Sequence, residues 1–288
     1  MSKPSAVRVR GLRKTYAGRV AVDRLDLDIY RGEVFALLGP NGAGKTTTVE
    51  ILEGHRHRDG GTAEVLGEDP GRRPRGWRSR IGIVLQSLTD GGGELTVREI
   101  VGHFAHYYPR ARDPDEVIET VGLTPQARTR LPQLSGGQRR RVDVALGIVG
   151  RPELLFLDEP TTGFDPAARR AFWELITRLA GAGTTIVLTT HYLEEAEALA
   201  DRVGVLADGR LVAAGTPAEI GGRATAEAKV SWRDGGQPRW ERTEAPTRLI
   251  AELAARYGGE VPGLTVTRPS LEDTYLALIG ARPDGGPR

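Results

Sequence analysis

The sequence contains no cysteine, which excludes a disulfide framework and a thiolate-ligated metal site. It also lacks any apolar run close to the roughly 18 residues that a membrane-spanning helix needs. Its apolar segments, such as those at 154–157 and 185–188, are short and read as core strands. Residues 1–10 contain no apolar stretch typical of a signal peptide. We therefore expect a cytoplasmic protein.

The sequence also lacks a marked excess of one charge, since it has 40 basic and 38 acidic residues and a formal net charge of +2. This balance does not indicate a nucleic-acid partner. One basic cluster lies among prolines and glycines, and its members are Arg72, Arg73, Arg75, Arg78 and Arg80. We interpret it as a solvated surface loop, with contact to a phosphate or lipid headgroup as the alternative.

The most informative segment that is present runs from Gly39 to Thr46 and reads Gly-Pro-Asn-Gly-Ala-Gly-Lys-Thr. It matches G-x-x-x-x-G-K-[ST], the loop that holds the phosphates of nucleoside triphosphates, in which Lys45 reaches the β- and γ-phosphates and Thr46 ligates Mg²⁺. Glycines let successive N–H groups point at one anion. The context fits, because residues 33–38 read as a buried strand and residues 46–54 as a helix. A glycine-rich turn without function is the alternative.

Strand-like and helix-like segments alternate from about residue 7 to residue 217, which indicates an α/β fold with a largely parallel sheet. Residues 7–10 and 25–29 alternate apolar with polar side chains, as half-exposed antiparallel strands do. Other strands are continuously apolar, as expected for burial on both faces, and these are 34–38, 154–157 and 185–189. The Asp-Gly pair within residues 207–210 predicts a hairpin turn.

The remaining segments predict a helical insertion and a small C-terminal domain. Residues 95–108 and 114–121 read as helices inside an insertion that spans about 88–150. Beyond the glycines at 221–222 we expect strands at 228–232 and 264–267 and helices at 247–257 and 271–279. The predicted organisation is a main domain over 1–220, an accessory domain over 221–280 and a disordered tail over 281–288.

Two acidic residues, Asp158 and Glu159, follow the apolar strand at 154–157. Open α/β sheets place ligands at the carboxyl ends of their strands. An acid there, beside a phosphate-binding loop, holds Mg²⁺ directly or through water, and its neighbour polarises the attacking water. Acidic residues in the first turn of a helix are the alternative interpretation.

The segment Leu134-Ser135-Gly136-Gly137-Gln138 lies between the phosphate loop and the acidic pair. Ser135 is suited to cap a helix while the two glycines turn their N–H groups toward an anion. In this position and order, the segment resembles the signature sequence of the ABC transporter ATPases.

Other positions match the same family pattern. Gln86, after the strand at 81–85, resembles its Q-loop, and His191 resembles its switch histidine. Tyr16 occupies the place of its adenine-stacking aromatic residue. Gly163-Phe164-Asp165 resembles its D-loop, with Phe164 where leucine is usual, which leaves Asp165 in place.

The resemblance covers about residues 6–218 and implies a P-loop NTPase core with a mixed, mostly parallel sheet, an antiparallel β subdomain, the helical insertion and a small C-terminal α+β appendage. It implies ATP and Mg²⁺ as cofactors. The implied catalytic residues are Glu159, His191, Gln86 and Lys45, and the implied metal ligands are Thr46, Gln86 and Asp158. The implied nucleotide-binding residues of one chain are Tyr16, Gly39, Pro40, Asn41, Gly42, Ala43, Gly44, Lys45, Thr46 and Thr47. The implied nucleotide-binding residues further include Ser135, Gly136, Gly137, Gln138 and Asp165, and of these Ser135 and Gly137 are implied to bind the γ-phosphate from a second chain.

The resemblance also implies a homodimer with two shared sites, in which an isolated monomer is nearly inactive. The segments Ser270–Leu276 and His191–Glu197 resemble a subgroup of ATP-binding subunits that serve exporters of drugs, antibiotics or polysaccharides. The implied partner is a separate membrane permease, bound from the cytoplasmic face near Gln86–Tyr108. In that stretch Phe104, Tyr107 and Tyr108 belong either to the contact or to the core.

Three other interpretations stay open at this stage. A soluble ABC ATPase that acts on ribosomes or DNA usually carries two nucleotide domains or a coiled-coil insertion. An importer subunit differs only in the tail resemblance. A P-loop kinase or GTPase leaves the segment Leu134–Gln138 and His191 without a role.

Overall fold

The computed structural model describes residues 4–84, 93–222 and 225–280, with Arg75 described by its backbone alone. The chain divides into two compact units, residues 1–212 and residues 213–288. No helix in these described ranges is both long and apolar enough to cross a bilayer.

The strands that begin in the first unit are β1 (Ser5–Tyr16), β2 (Arg19–Tyr30), β3 (Val34–Leu38), β4 (Gly60–Val65), β5 (Ile81–Val84), β6 (Leu154–Asp158), β7 (Thr185–Thr190), β8 (Arg202–Ala207) and β9 (Arg210–Gly215). The helices of the first unit are α1 (Lys45–Leu52), α2 (Arg75–Arg78), α3 (Val97–Ala105), α4 (Pro114–Thr120), α5 (Gly136–Ile148), α6 (Pro166–Gly181) and α7 (Leu193–Leu199).

A six-stranded sheet in the order β5-β6-β7-β3-β8-β9 forms the centre of the first unit. Strands β5, β6, β7, β3 and β8 pair with one another in parallel. Every residue of β3 and β7 is buried, as expected for parallel strands covered on both faces. The register sets Asp158 opposite Thr189 and Leu38 opposite Thr190, so three strands end at one edge of the sheet.

The first unit also contains a three-stranded antiparallel sheet in the order β2-β1-β4. Val9 of β1 pairs with Leu27 on one side and with Ala63 on the other. These three side chains are buried and belong to one core with Phe35 and Phe156 of the central sheet. The predicted α/β core with an antiparallel β part is confirmed. Strand β1 extends to Tyr16, well past the alternating segment seen in the sequence.

Helices α3, α4 and α5 occupy the region between β5 and β6, and the described part of this region, residues 93–150, contains no strand element. Helix α3 begins with a capping box, in which Thr96 and Glu99 satisfy each other's backbone N–H groups. The hairpin between β8 and β9 turns at Asp208 and Gly209, with φ values of 49° and 77°. Positive φ at both central residues matches the twist of antiparallel strands.

The second unit contains β10 (Ala228–Asp234), β11 (Gln237–Thr243), α8 (Pro246–Tyr257), β12 (Thr265–Thr267) and α9 (Leu271–Leu278). Its three strands pair in the order β11-β10-β12. Val230 packs with Leu253 of α8 and with Val261 in a small core.

The sequence pattern did not predict β11. Its side chains are almost all exposed, so they show no apolar periodicity, and it includes Pro238. Proline has no backbone N–H, and it is tolerated on an edge strand because one side of such a strand has no neighbour that needs a hydrogen bond.

Candidate active site

The phosphate-binding loop connects β3 to α1. Gly42 and Gly44 have φ values of 81° and 99°, a conformation that side chains with a Cβ rarely adopt. A Cβ on Gly44 would lie 2.4 Å from the carbonyl oxygen of Ala21. Glycine is therefore required at this position both by backbone conformation and by space.

Lys45, the first residue of α1, is 6% exposed. Its Nζ donates to the carbonyl oxygens of Gly39 at 2.7 Å and Pro40 at 3.2 Å. The ammonium group therefore contacts the first residues of the same loop. Burial lowers the pKa of Lys45, while the charges of Glu159 and Asp158 act in the opposite direction. A bound anion at the loop would offset the desolvation of this cation.

A cavity of about 390 Å³ opens beside the loop, within the range of small-ligand pockets. Its lining residues are Tyr16, Arg19, Ala21, Asn41, Gly42, Gly44, Lys45, Thr46, Thr47 and Glu159. We call it the loop cavity. Tyr16 is 37% exposed, and the Lys14 ammonium and the Arg56 guanidinium lie 5.4 and 5.3 Å from its ring centroid. The structure thus brings the predicted aromatic residue, the loop and Glu159 to one cavity.

The acidic pair is fixed by Thr189 of the neighbouring strand β7. The Thr189 hydroxyl donates to Oδ1 of Asp158. The N–H of Glu159 donates to Thr189 Oγ1 at 3.0 Å and to the Thr189 carbonyl oxygen at 3.2 Å. Glu159 has a φ of 41°, in the left-handed region, which costs a residue with a Cβ about 1–2 kcal/mol. Strain of this kind persists only where surrounding contacts fix the backbone, and it clusters at functional sites.

His191 follows β7 and faces the acidic pair. Its Nδ1 lies 3.5 Å from Oε2 of Glu159. Its ring lies 4.1 Å, centroid to centroid, from that of Tyr192, over which the Arg169 guanidinium is placed at 4.6 Å. These contacts hold the imidazole beside the carboxylate of Glu159.

Ser135 caps the N-terminus of α5 through a capping box. Its Oγ accepts from the N–H of Gln138 at 3.3 Å, and Oε1 of Gln138 accepts from the N–H of Ser135 at 2.9 Å. The glycines at 136 and 137 are the first two residues of α5. The first N–H groups of a helix have no partner within the helix, and the positive end of its dipole adds to their attraction for anions.

A second cavity, of about 520 Å³, lies at this helix start, and we call it the signature cavity. Its lining residues are Ser135, Gly136, Gly137, Arg139, Arg140, Asp143, Glu159, Pro160, Thr162, Gly163, Phe164, Asp165 and Ala168. Glu159 borders both cavities, whereas Ser135 lines the signature cavity and Lys45 the loop cavity. In the described part of one chain, the two motifs therefore face separate spaces.

Asp165 caps α6, because its Oδ1 accepts from the N–H of Ala168 at 2.8 Å. Phe164 packs edge-to-face on Phe172, with ring centroids 5.8 Å apart. The phenylalanine that replaces the usual leucine is therefore accommodated against the core and leaves the Asp165 cap intact.

The residues present suit ATP with Mg²⁺. The oxygens of Thr46 and Asp158 are hard ligands of the type that Mg²⁺ prefers, and phosphate oxygens and water normally complete its coordination. Gln86, the third predicted ligand, lies outside the described residues. The sequence motifs do not include two side chains that shape the site, Thr189 and Arg140. Thr189 is predictable from the sequence, because neighbouring parallel strands end together, whereas no sequence pattern marks Arg140 as a buried arginine on α5.

The chain is similar to several known proteins over most of its length. A family model described as "ABC transporter" matches residues 22–162. The chain is 39% identical over 310 residues to the daunorubicin/doxorubicin resistance ATP-binding protein DrrA of Streptomyces peucetius, covering 97% of this chain and 94% of that protein. It is also 39% identical over 289 residues to the Nod factor export ATP-binding protein I of Burkholderia pseudomallei, covering 93% and 94%.

The fold is similar to that of a solved structure. The structure of cbiO1 from Clostridium perfringens, described as part of the ABC transporter complex cbiONQ, matches with a TM-score of 0.69 at 29% identity. The match covers 75% of this chain and 90% of that chain.

Proposed function

Because this chain belongs to the family of ABC transporter ATP-binding subunits and is an ATPase, we propose that it drives export of a drug- or antibiotic-like compound through a separate membrane permease. One observation carries the proposal. Lys45, Thr46 and Glu159 converge on a single cavity, in a chain that aligns over nearly its full length with drug-resistance and Nod factor export ATP-binding proteins.

Hydrolysis of ATP is a phosphoryl transfer to water, in which positioning and charge stabilisation supply most of the catalysis. We assign Lys45 and the N–H groups of the loop to the phosphates, and Tyr16 to the adenine ring. Glu159 orients and deprotonates the attacking water, and His191 contacts the γ-phosphate. Thr46, Asp158 and Gln86 would hold Mg²⁺, which supplies charge neutralisation at the phosphates.

The separation of the two cavities supports a site shared between two copies of the chain. Ser135 and the N–H groups at the start of α5 offer an anion site, yet they face the signature cavity of their own chain. A second copy would bring its α5 start to the loop cavity of the first. Glu159 and the Ser135–Gln138 loop are intact, so both sites of such a homodimer would be competent.

A third cavity, of about 400 Å³, supports a permease contact at the helical insertion, and the subunit would bind there from the cytoplasmic face of the membrane. It is lined by Phe104 and Tyr108 beside Ile81 and Ile83 of β5. The neighbouring Tyr107 is 68% exposed. We propose that this mostly apolar opening receives a segment of the permease, as apolar surface rimmed by polar groups commonly does.

For the organisation of the chain we propose a catalytic domain over 1–220 that includes the insertion at about 88–150. Residues 221–280 form an accessory domain, and the tail at 281–288 lies outside the described residues.

The test is to purify the tagged chain from detergent-solubilised native membranes. We expect an integral membrane protein to co-purify, and ATP turnover of the complex to rise with daunorubicin as the transport probe. Lys45→Ala should abolish that turnover while the complex still forms. Recovery of the chain with ribosomes or nucleic acid, and without a membrane protein, would contradict the proposal and favour a soluble ABC ATPase.

A further inference from the structure

Glu159 holds a backbone conformation that its residue type disfavours, with a φ of 41°. Thr189 fixes one side of this residue, because it accepts the N–H of Glu159 with both its hydroxyl and its carbonyl oxygen. Both bonds act on the peptide group that precedes Glu159, and neither acts on the chain that follows it.

The side chain of Arg140 bonds carbonyl oxygens on either side of Glu159, one in the peptide group that precedes Glu159 and one in the peptide group that follows Pro160. Its Nη2 donates to the carbonyl oxygen of Asp158 at 3.0 Å, and its Nε donates to the carbonyl oxygen of Pro160 at 3.1 Å. A guanidinium is a rigid planar fork, so two bonds from one fork fix the spacing between the two carbonyls. Arg140 is 5% exposed, and its Nη1 lies 3.8 Å from Oδ2 of Asp143 one turn along α5. The carboxylate of Asp143, on the same helix, therefore helps to orient the guanidinium.

We propose that Arg140 is a positioning residue for ATP hydrolysis: its guanidinium clamps the two carbonyls around Glu159 and thereby aims the Glu159 carboxylate. This proposal rests on the proposed role of Glu159 as the group that activates water. Arg140 lines the signature cavity and not the loop cavity, and its Nε and Nη2 bond the carbonyls beside Glu159, so its route to the reaction at its own phosphate loop is through Glu159.

A positioning role and a purely structural role differ in what they change. If Arg140 only stabilised the fold, its loss would weaken nucleotide binding and turnover together and would add to the effect of any other variant. If it aims Glu159, its loss should lower turnover and leave binding of ADP intact. The loss of Arg140 should also have no further effect on turnover in a chain that already lacks the Glu159 carboxylate, because substitutions of residues that act as one unit do not have additive effects.

The experiment compares four chains: wild type, Arg140→Met, Glu159→Gln and the double variant. We expect Arg140→Met to lower ATP turnover about tenfold to a hundredfold, as misplacement of a catalytic group does. Affinity for a fluorescent ADP analogue should stay within about threefold of wild type, and the double variant should match Glu159→Gln alone within a similar factor. A double variant slower by the product of the two single effects would overturn the proposal, as would parallel losses of binding and turnover.

Arg202→Met is the matched control. Arg202 donates to the Asp28 carbonyl oxygen at 3.1 Å and pairs with Glu33, and it lines neither the loop cavity nor the signature cavity. Its loss should reduce thermal stability and keep turnover near wild type below the melting temperature. Normal turnover in Glu159→Gln would refute the role of Glu159 itself, a result distinct from failure of the Arg140 clamp.

If Arg140→Met does not fold, Arg140→Lys replaces it in the same comparison. Lysine keeps the positive charge but lacks the planar guanidinium, so we expect a smaller loss of turnover than in Arg140→Met and the same dependence on Glu159. A crystal structure of either variant gives a direct readout. The φ of Glu159 should leave the left-handed region, and an unchanged Glu159 backbone would overturn the clamp.

Discussion

The Nδ1 atom of His191 lies 3.5 Å from Oε2 of Glu159, and this contact joins the ends of two neighbouring parallel strands. The register that pairs Asp158 of β6 with Thr189 of β7 produces it. The carboxylate and imidazole thus sit together at the sheet edge where the phosphate loop also begins. A site made in this way depends on the strand order more than on local sequence.

Glu159→Gln should bind nucleotide normally and hydrolyse it about 10²–10⁴-fold more slowly, because the amide keeps the shape and cannot accept a proton from water. Turnover and ADP-analogue affinity, measured on the same preparation, check this expectation. The closed dimer should also accumulate with ATP and Mg²⁺. Only monomer in size-exclusion chromatography at saturating ATP would count against the shared site.

Tyr16→Ala should weaken ATP and ADP binding alike, by about 1–3 kcal/mol, because an aromatic face stacks on the base and does not contact the γ-phosphate. Tyr16→Phe is the matched control and should be nearly neutral. Equilibrium titration with both nucleotides tests the pair. If Phe is as damaging as Ala, the hydroxyl matters and stacking is the wrong explanation.

Lys45→Ala should reduce ATP affinity by about 1.5–3 kcal/mol, the value of a charge-assisted hydrogen bond, and should abolish turnover. Lys229→Ala in the second unit removes a comparable charge and should change neither quantity. Isothermal titration and phosphate release measure the two effects. Normal turnover in Lys45→Ala would refute the assignment of the phosphate loop.

Glu53, just after α1, should make stability fall as pH rises. Burial, followed by the charges of Asp158 and Glu50, raises its pKa from 4.5 to about 8. A raised pKa means that the folded state keeps a proton which the unfolded chain releases above about 4.5. The stabilisation is therefore complete below that value and is lost as pH rises through about 8.

Glu53→Gln removes this loss, so its melting temperature should exceed that of wild type by about 2–4 °C or more near pH 8.5 and differ little near pH 5. Glu252→Gln in the second unit is the control, since the exposed Glu252 carboxylate pairs with Arg248 and does not contribute to the Glu53 pKa. An equal gain for Glu53→Gln at both pH values would show that burial does not protonate this carboxyl group.

The sequence predicted those parts of the molecule that depend on near neighbours. The phosphate loop with Lys45 and the helix cap at Ser135 each need only residues within one turn or loop. Strand β11 escaped prediction because its side chains are exposed and show no apolar period. The bonds from Arg140 to the Asp158 and Pro160 carbonyls were not predicted either, since only the folded chain brings α5 against the end of β6.

The most direct test of the shared site is the ATP turnover of Ser135→Arg by itself. We expect this chain to bind ATP through its sound phosphate loop and to hydrolyse almost none, because the bulky side chain blocks the site of its partner. Mixed with Lys45→Ala, it should form heterodimers in which one composite site carries both defects and the other carries neither, so turnover should return. Full turnover by Ser135→Arg alone would contradict a site completed by a second chain.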